Sequence, residues 1–294
     1  MAESYKFIAP DTTVLTLSNY TLVDEGEIGM ALPSNYATVG AQQDGALWQG
    51  VRLVPRILNV VWDSASSTRS AMFDEHQTFL AAMKPYATAG TLRKQLPDDT
   101  YYDLKVRINS GLTFNADEQI AASTQRYAIQ FIAYDPVWDK QPQATHTVTL
   151  PSLTELEFPI TFPITYGSTN IDDTDTVTTS GTWKAYPVIT ITGPVTDPII
   201  SNNTTDEKLD FDGVTIASGD TYTIDLTAGT KTVVDSSSVN KIGDLTTDSD
   251  LGTWHLAAAP EATSGNNTIR IQGGSAVVGE TSFVIAWYNR FVGL

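Results

Sequence analysis

Apolar residues recur at every second position through most of this chain, the spacing of half-buried β-strands. Residues 13–17 (TVLTL) predict a short strand. Residues 47–62 (LWQGVRLVPRILNVVW) predict one long strand or two consecutive ones, with Pro55 marking an edge or a break. Residues 101–108 (YYDLKVRI) and 126–134 (RYAIQFIAY) alternate strictly, and the second run ends at Asp135-Pro136, where proline stops the ladder. Residues 24–43 have no period and contain Gly26, Gly29, Pro33 and Gly40, so an extended loop or hairpin arm is expected there. One stretch switches to helical spacing. In residues 70–84 (SAMFDEHQTFLAAMK), Met72, Phe73, Phe79, Leu80 and Met83 fall on helix-compatible offsets, Ser70 can cap the start and Pro85 stops the run. Acids in the first turn and Lys84 in the last would suit the helix dipole.

After Trp138 the polar run 139–143 (DKQPQ) predicts a boundary, dividing the chain into domains 1–143 and 144–294. Beyond it the pattern is strands and turns alone: 148–150, 156–160, 188–191, 208–211, 222–226, 232–235, 253–256, 267–272 and 282–288, most of them separated by Gly, Asn, Asp or Pro. Short strands at such spacing predict a sandwich or jelly roll. Residues 170–182 (NIDDTDTVTTSGT) are polar and repetitive, and predict a mobile loop. Runs 267–272 and 282–288, joined by a Gly-rich connection, predict neighbouring antiparallel strands. Residues 289–294 overrun the second of these, returning either across the sheet or toward the first domain.

Composition sharpens the class. A chain of 294 residues suits two domains, and 41% apolar with only 17% charged residues, rich in Thr, Ser, Gly, Asn and Val, suits strands. With no cysteine, disulfides, thiolate metal sites and a Cys nucleophile are excluded. Residues 1–13 (MAESYKFIAPDTT) lack the basic and apolar regions of a secretion signal, and no window has the apolar length of a membrane helix, so synthesis in the cytoplasm is expected. On that reading the glycosylation patterns at Asn19, Asn202 and Asn266 are chance. Seventeen basic against 34 acidic residues give a net charge of −17. Adhesive nucleic-acid binding is disfavoured by that balance, whereas an acidic surface suits DNA that must slide past without sticking.

Candidate chemistry is sparse. His76, His146 and His255 form no i, i+4 pair, so no HExxH zinc site exists, and each reads as structural. Gly273-Gly274-Ser275-Ala276-Val277 lacks the second flanking glycine of a nucleophile elbow, and neither phosphate-binding glycine pattern occurs. Two acidic clusters, Asp172-Asp173-Asp175 and Asp206-Glu207 with Asp210 and Asp212, offer oxygens to calcium without EF-hand spacing, and read as solvated loops. Nothing marks one carboxylate pair for glycoside hydrolysis. Trp183, Tyr186, Trp254, Trp287 and Tyr288 are core residues or, in a carbohydrate-binding adhesin, a sugar-stacking surface. No catalytic, cofactor or metal residue is therefore assigned.

Four segments in order carry a resemblance: 131–136 (FIAYDP), 181–193 (GTWKAYPVITITG), 222–233 (YTIDLTAGTKTV) and 287–291 (WYNRF). Together they resemble the distal tail protein family of long-tailed siphophages. The resemblance implies a belt domain of β-strands with one helix, then a galectin-like β-sandwich. It also implies a non-enzymatic, cofactor-free virion protein of the tail tip: a homo-hexameric ring joining the tail tube protein to the tip or baseplate hub. Receptor-binding or side-fibre proteins would attach to the sandwiches, and DNA would pass through the lumen. The alternative function is the carbohydrate-binding adhesin.

Overall fold

The computed structural model describes residues 3–17, 21–22, 29–39, 44–86, 88–114, 124–149 and 170–294. It is mainly β, with a single α-helix among these residues. Two compact units divide the chain, one of residues 1–141 with 291–294, the other of residues 142–290.

The first unit holds β1 (Ser4–Ile8), β2 (Val14–Leu17), β3 (Thr21–Leu22), β4 (Pro33–Thr38), β5 (Leu47–Leu53), β6 (Arg56–Ala65), the helix α1 (Arg69–Ala82), β7 (Gly90–Gln95), β8 (Tyr101–Ile108), β9 (Thr113–Phe114) and β10 (Thr124–Ala133). Strand β11 (Trp138–Thr149) starts here and runs on into the second unit. Pairing is antiparallel throughout, in the order β2-β1-β7-β8-β10-β6-β3, with β9 on β10. A ladder joins all ten residues of β6 and β10, from Arg56 opposite Ala133 to Ala65 opposite Thr124. Alternation explains why: Leu58, Val60 and Trp62 of β6 and Tyr127, Ile129 and Phe131 of β10 point to one face and are buried. Pro55 separates β5 from β6, so the long apolar run is two strands, the second of the alternatives the pattern left open.

The helix covers that face. Its cap is Thr68, whose hydroxyl accepts from the Ala71 amide at 3.2 Å, two residues ahead of the expected Ser70. The shift takes Asp74 and Glu75 out of the first turn and Lys84 beyond the helix, leaving no acid at its start and no base at its end. Phe73 and Leu80, expected inside, are exposed. The buried stripe is His76, Phe79 and Ala82, followed by Met83. Phe79 meets Trp62 edge-on at 5.5 Å and Tyr127 at 5.0 Å, while Trp62 stacks on Tyr127 at 5.2 Å.

The second unit contains β12 (Ile171–Thr178), β13 (Val188–Thr192), β14 (Val195–Asn202), β15 (Glu207–Asp210), β16 (Thr215–Ile216), β17 (Thr221–Asp225), β18 (Thr232–Asp235), β19 (Asn266–Gly274) and β20 (Ser282–Phe291), the last passing its final residue to the first unit. One sheet runs β18-β17-β13-β20, the other β12-β19-β14-β15 with β16 on β14. Ile189, Ile191, Ile224, Phe283 and Ile285 of the first and Ile200, Leu209, Ile269 and Ile271 of the second belong to one buried core. Asn267 is fully buried within it. Its side chain donates to the carbonyls of Ala257 (2.9 Å) and Gly265 (3.0 Å), and its oxygen accepts from the Ala257 amide (2.8 Å) and from Asn202 (3.2 Å). This amide network pins the irregular segment after Trp254 to the sheet.

Three expectations are overturned here. Residues 170–182 are largely strand β12, because Ile171 and Val177 are buried at its two ends and the intervening threonines favour extended backbone. The polar run 139–143 lies within strand β11, and the division between the two units falls inside it, between Gln141 and Pro142. Residues 253–256 are a turn and one isolated bridge, Leu256 opposite Ala185. Strands β19 and β20 are not neighbours: the Gly-rich connection crosses from one sheet to the other. Gly273 and Gly274 allow the crossover, since a Cβ at either would come within 2.6 Å of the side chains of Val195 or Thr196. The expected strand at 156–160, and parts of the arm at 24–43, lie outside the described residues.

Candidate functional site

The residues singled out for chemistry are dispersed. His76 is buried among aromatics, its ring 4.9 Å from Phe114 and 5.3 Å from Tyr127. His146 pairs with Asp175 at 2.7 Å, and His255 with Glu207 at 3.2 Å. No two histidines share a site in these contacts.

The acidic clusters are occupied by the protein's own donors. Asp172 takes a bidentate pair of hydrogen bonds from Arg270, both 2.8 Å. Asp173 accepts from the Thr174 amide (2.9 Å), and Asp175 from the Thr176 amide (2.7 Å) as well as facing His146. Asp210 accepts from Lys208 and from the Asp212 amide, and Glu207 from Thr205 and the His255 amide. Among the described residues no group of three or more His, Asp or Glu is disposed to hold a metal ion.

The aromatic set divides. Trp254 and Trp287 are core residues, whereas Trp183, Tyr186 and Tyr288 are half-buried. Tyr186 is not open for stacking on a sugar. The ammonium of Lys231 stands 4.7 Å from its ring centre, with Arg290 at 5.7 Å and Lys184 at 5.9 Å. Burial holds the Lys231 pKa below the usual lysine value.

Of the loop or hairpin arm expected at 24–43, the described part contributes one strand of a two-stranded ribbon. Among the described residues, strands β4 and β5 pair only with each other, from Pro33 opposite Leu53 to Thr38 opposite Leu47, with a register shift after Tyr36. Large apolar side chains on it are open to solvent: Trp48 is 63% exposed and Leu32 71%, and Leu47, Val51, Tyr36 and Val39 are exposed too. A two-stranded ribbon by itself is marginal in water. Over residues 29–53 the charges are Asp44 and Arg52, one of each sign, so the segment is neutral in a chain of net charge −17. Gly26, Gly29, Pro33 and Gly40 gave the arm signal. What could have flagged the ribbon was the lack of charge in an otherwise acidic chain.

Its base is held from far along the sequence. The Val292 carbonyl accepts from the Ala31 amide (2.8 Å) and from Arg56 Nη2 (2.6 Å). Phe291 meets Tyr102 edge-on at 5.5 Å, and Gly293 lies so close to Gly29 that a Cβ would stand 2.7 Å from the Gly29 carbonyl. Of the two courses open to residues 289–294, the final four residues therefore join the first unit.

A two-unit antiparallel β-chain with one helix and no clustered catalytic groups in this set has the fold of a phage tail hub protein. The SPP1 Dit protein, described as a paradigm of the hub adsorption apparatus in phages that infect Gram-positive bacteria, superposes with a TM-score of 0.59 at 12% identity, over 98% of this chain and 99% of that one. A chain of the phage P2 baseplate, in its activated conformation with Ca, gives 0.50 at 10% identity, over 97% and 98%. At these identities the likeness is one of fold, and that fold is the one the four sequence segments imply. No protein-family model matches the sequence. No curated protein matches it either. Among the described residues no helix is long and apolar enough to cross a membrane.

Proposed function

We propose that this chain is a non-enzymatic structural component of a phage tail, a hub between tail tube and tail tip. The observation that carries the reading is the extent of the fold match: 98% of the chain corresponds to 99% of SPP1 Dit, so both units are accounted for in their order. In this reading residues 1–143 form a belt domain and residues 144–294 a galectin-like sandwich. Six belts close into a ring, and the sandwiches project outward to carry receptor-binding or side-fibre proteins.

Closing a ring requires two different complementary faces on each subunit. The apolar ribbon supports one of them, and the exposed Phe73 and Leu80 of α1 support the other. The ribbon's neutrality permits contact between two copies of a strongly acidic chain without charge repulsion. The same net charge of −17 suits a lumen through which DNA slides without binding.

Light scattering of the purified protein, with negative-stain images, tests the reading. A six-fold ring with a central hole is expected. A trimer that retains glycans on an array would overturn it in favour of the adhesin.

A further inference from the structure

Strand β12 is the terminal strand of its sheet among the described residues, hydrogen-bonded to β19 alone. The opposite end of that sheet is treated differently. There the outer side of β15 is covered by residues 246–250: the Asp250 and Thr246 amides donate to the carbonyls of Lys208 and Asp210, and Ser249 and Asp250 side chains accept from the Asp210 and Lys208 amides. In the other sheet, β18 is likewise covered by the chain's own return, through the Val234–Asn240 bridge and the Lys241 amide on the Val233 carbonyl.

On β12 the covering is made by side chains. In an antiparallel pair, alternate residues turn their N–H groups toward the partner and the intervening ones turn them away. The sequence Asp173-Thr174-Asp175-Thr176 repeats at that period. The amides of Thr174 and Thr176 donate to the carboxylates of the residues before them, at 2.9 and 2.7 Å. Asp175 is steadied by His146 on its second oxygen, and its pKa is lowered chiefly by the Thr176 amide. Two successive edge donors are thus satisfied locally, under two negative charges.

We propose that Asp173 and Asp175 guard this edge: they occupy the donors that an incoming strand would need, and place like charges against any second copy of β12. An exposed edge with free donors is a template for strand addition, and inward or edge-placed charge is one way of blunting it. The acidic run is then explained by what it prevents, without a bound cation. This inference is independent of the tail-hub reading, because the assembly face proposed for the ring lies in the first unit.

The cysteine-free chain allows a direct test. T176C keeps the backbone donor and places one thiol on β12, so oxidative dimers report edge-to-edge contact and not contact through the ribbon. In the T176C background, D173V/D175V removes both acceptors and both charges, and D173N/D175N removes charge while keeping an acceptor oxygen. A severalfold rise in disulfide dimer is expected for the valine pair, with a smaller rise for the asparagine pair that added salt reproduces in the parent. Faster hydrogen exchange at Thr174 and Thr176 should accompany the valine pair in its monomer. If the valine pair fails to fold, the asparagine pair decides alone: no rise above the parent overturns the guard, as does an unchanged yield in a folded valine pair.

Discussion

The carbonyl of Val292 accepts a hydrogen bond from the Ala31 amide at 2.8 Å, so a residue at one extreme of the sequence fixes the base of a ribbon near the other. Arg56 reinforces the joint from the start of β6, with its guanidinium 2.6 Å from the same oxygen. Burial lowers the Arg56 pKa from the usual arginine value without discharging it.

Replacing Gly293 by Val should unfasten this joint, because the added Cβ meets backbone and not a movable side chain. Arg56→Ala should act in the same direction, removing a charge-assisted hydrogen bond worth about 1.5–3 kcal/mol. Hydrogen exchange is the measure. Residues 31–54 should lose protection in both variants, while β13, β17 and β20 of the second unit keep theirs.

Trp48→Glu should separate assembly from folding. The side chain is mostly exposed, so monomer stability should shift by no more than about 0.5 kcal/mol. A burial-driven contact, in contrast, should be lost when a carboxylate replaces the indole. Particle mass before and after the substitution distinguishes the outcomes, and an unchanged assembly of the variant would remove the ribbon from the ring interface.

Asn267→Ala should be among the most damaging single changes in the second unit. It removes the buried partner of the Ala257 amide and carbonyl and one acceptor of the Asn202 side chain, while the Gly265 carbonyl keeps the Thr179 amide. At about 1–3 kcal/mol for a buried group left unsatisfied, a loss of about 2–3 kcal/mol is expected in denaturant unfolding followed by tryptophan fluorescence.

Acid should weaken the lid over β15. Lys208 stands 3.2 Å from Asp210 and 2.5 Å from Asp248. The Lys208 ammonium, followed by the Thr246 hydroxyl, holds the Asp248 carboxyl down at about 2. A depressed carboxyl pKa stabilises the fold above the unfolded value of about 3.9. That stability is lost as pH falls from about 4 toward about 2. Asp248→Asn should flatten this part of the acid dependence, read as the urea midpoint across that interval. Tyr222 has the opposite sense at the alkaline end. Burial first, then its hydrogen bond to Asp244, pushes its pKa up to about 12, so its contribution should hold below about pH 10 and fade as pH rises toward 12.

Strict alternation made several elements legible from sequence: β8 is found at residues 101–108 and β18 at 232–235, as the pattern predicts. The fold class and the single helix were legible too. Cap position was not, because Thr68 and Ser70 are chemically equivalent candidates and only the turn geometry chooses between them. Polarity misled at β12, where Thr and Asp on an edge strand read as a loop. At 139–143 the polar run coincides with the division between the units, although backbone pairing carries β11 straight across it. Strand adjacency was out of reach at the crossover: alternation identifies β19 and β20 as strands but holds no information on which sheet each joins. The surface proposed for assembly was hidden for a related reason, since exposed and buried apolar residues have the same letters.

Arg56 and Val292 are 236 positions apart. At about 5–20 residues per second of synthesis, that separation corresponds to roughly 10–50 s on the ribosome. Throughout that interval the ribbon has emerged without the carbonyl that holds its base, so its final orientation belongs only to chains elongated past residue 292. Fragments released earlier carry the apolar surface but not its fixed aim.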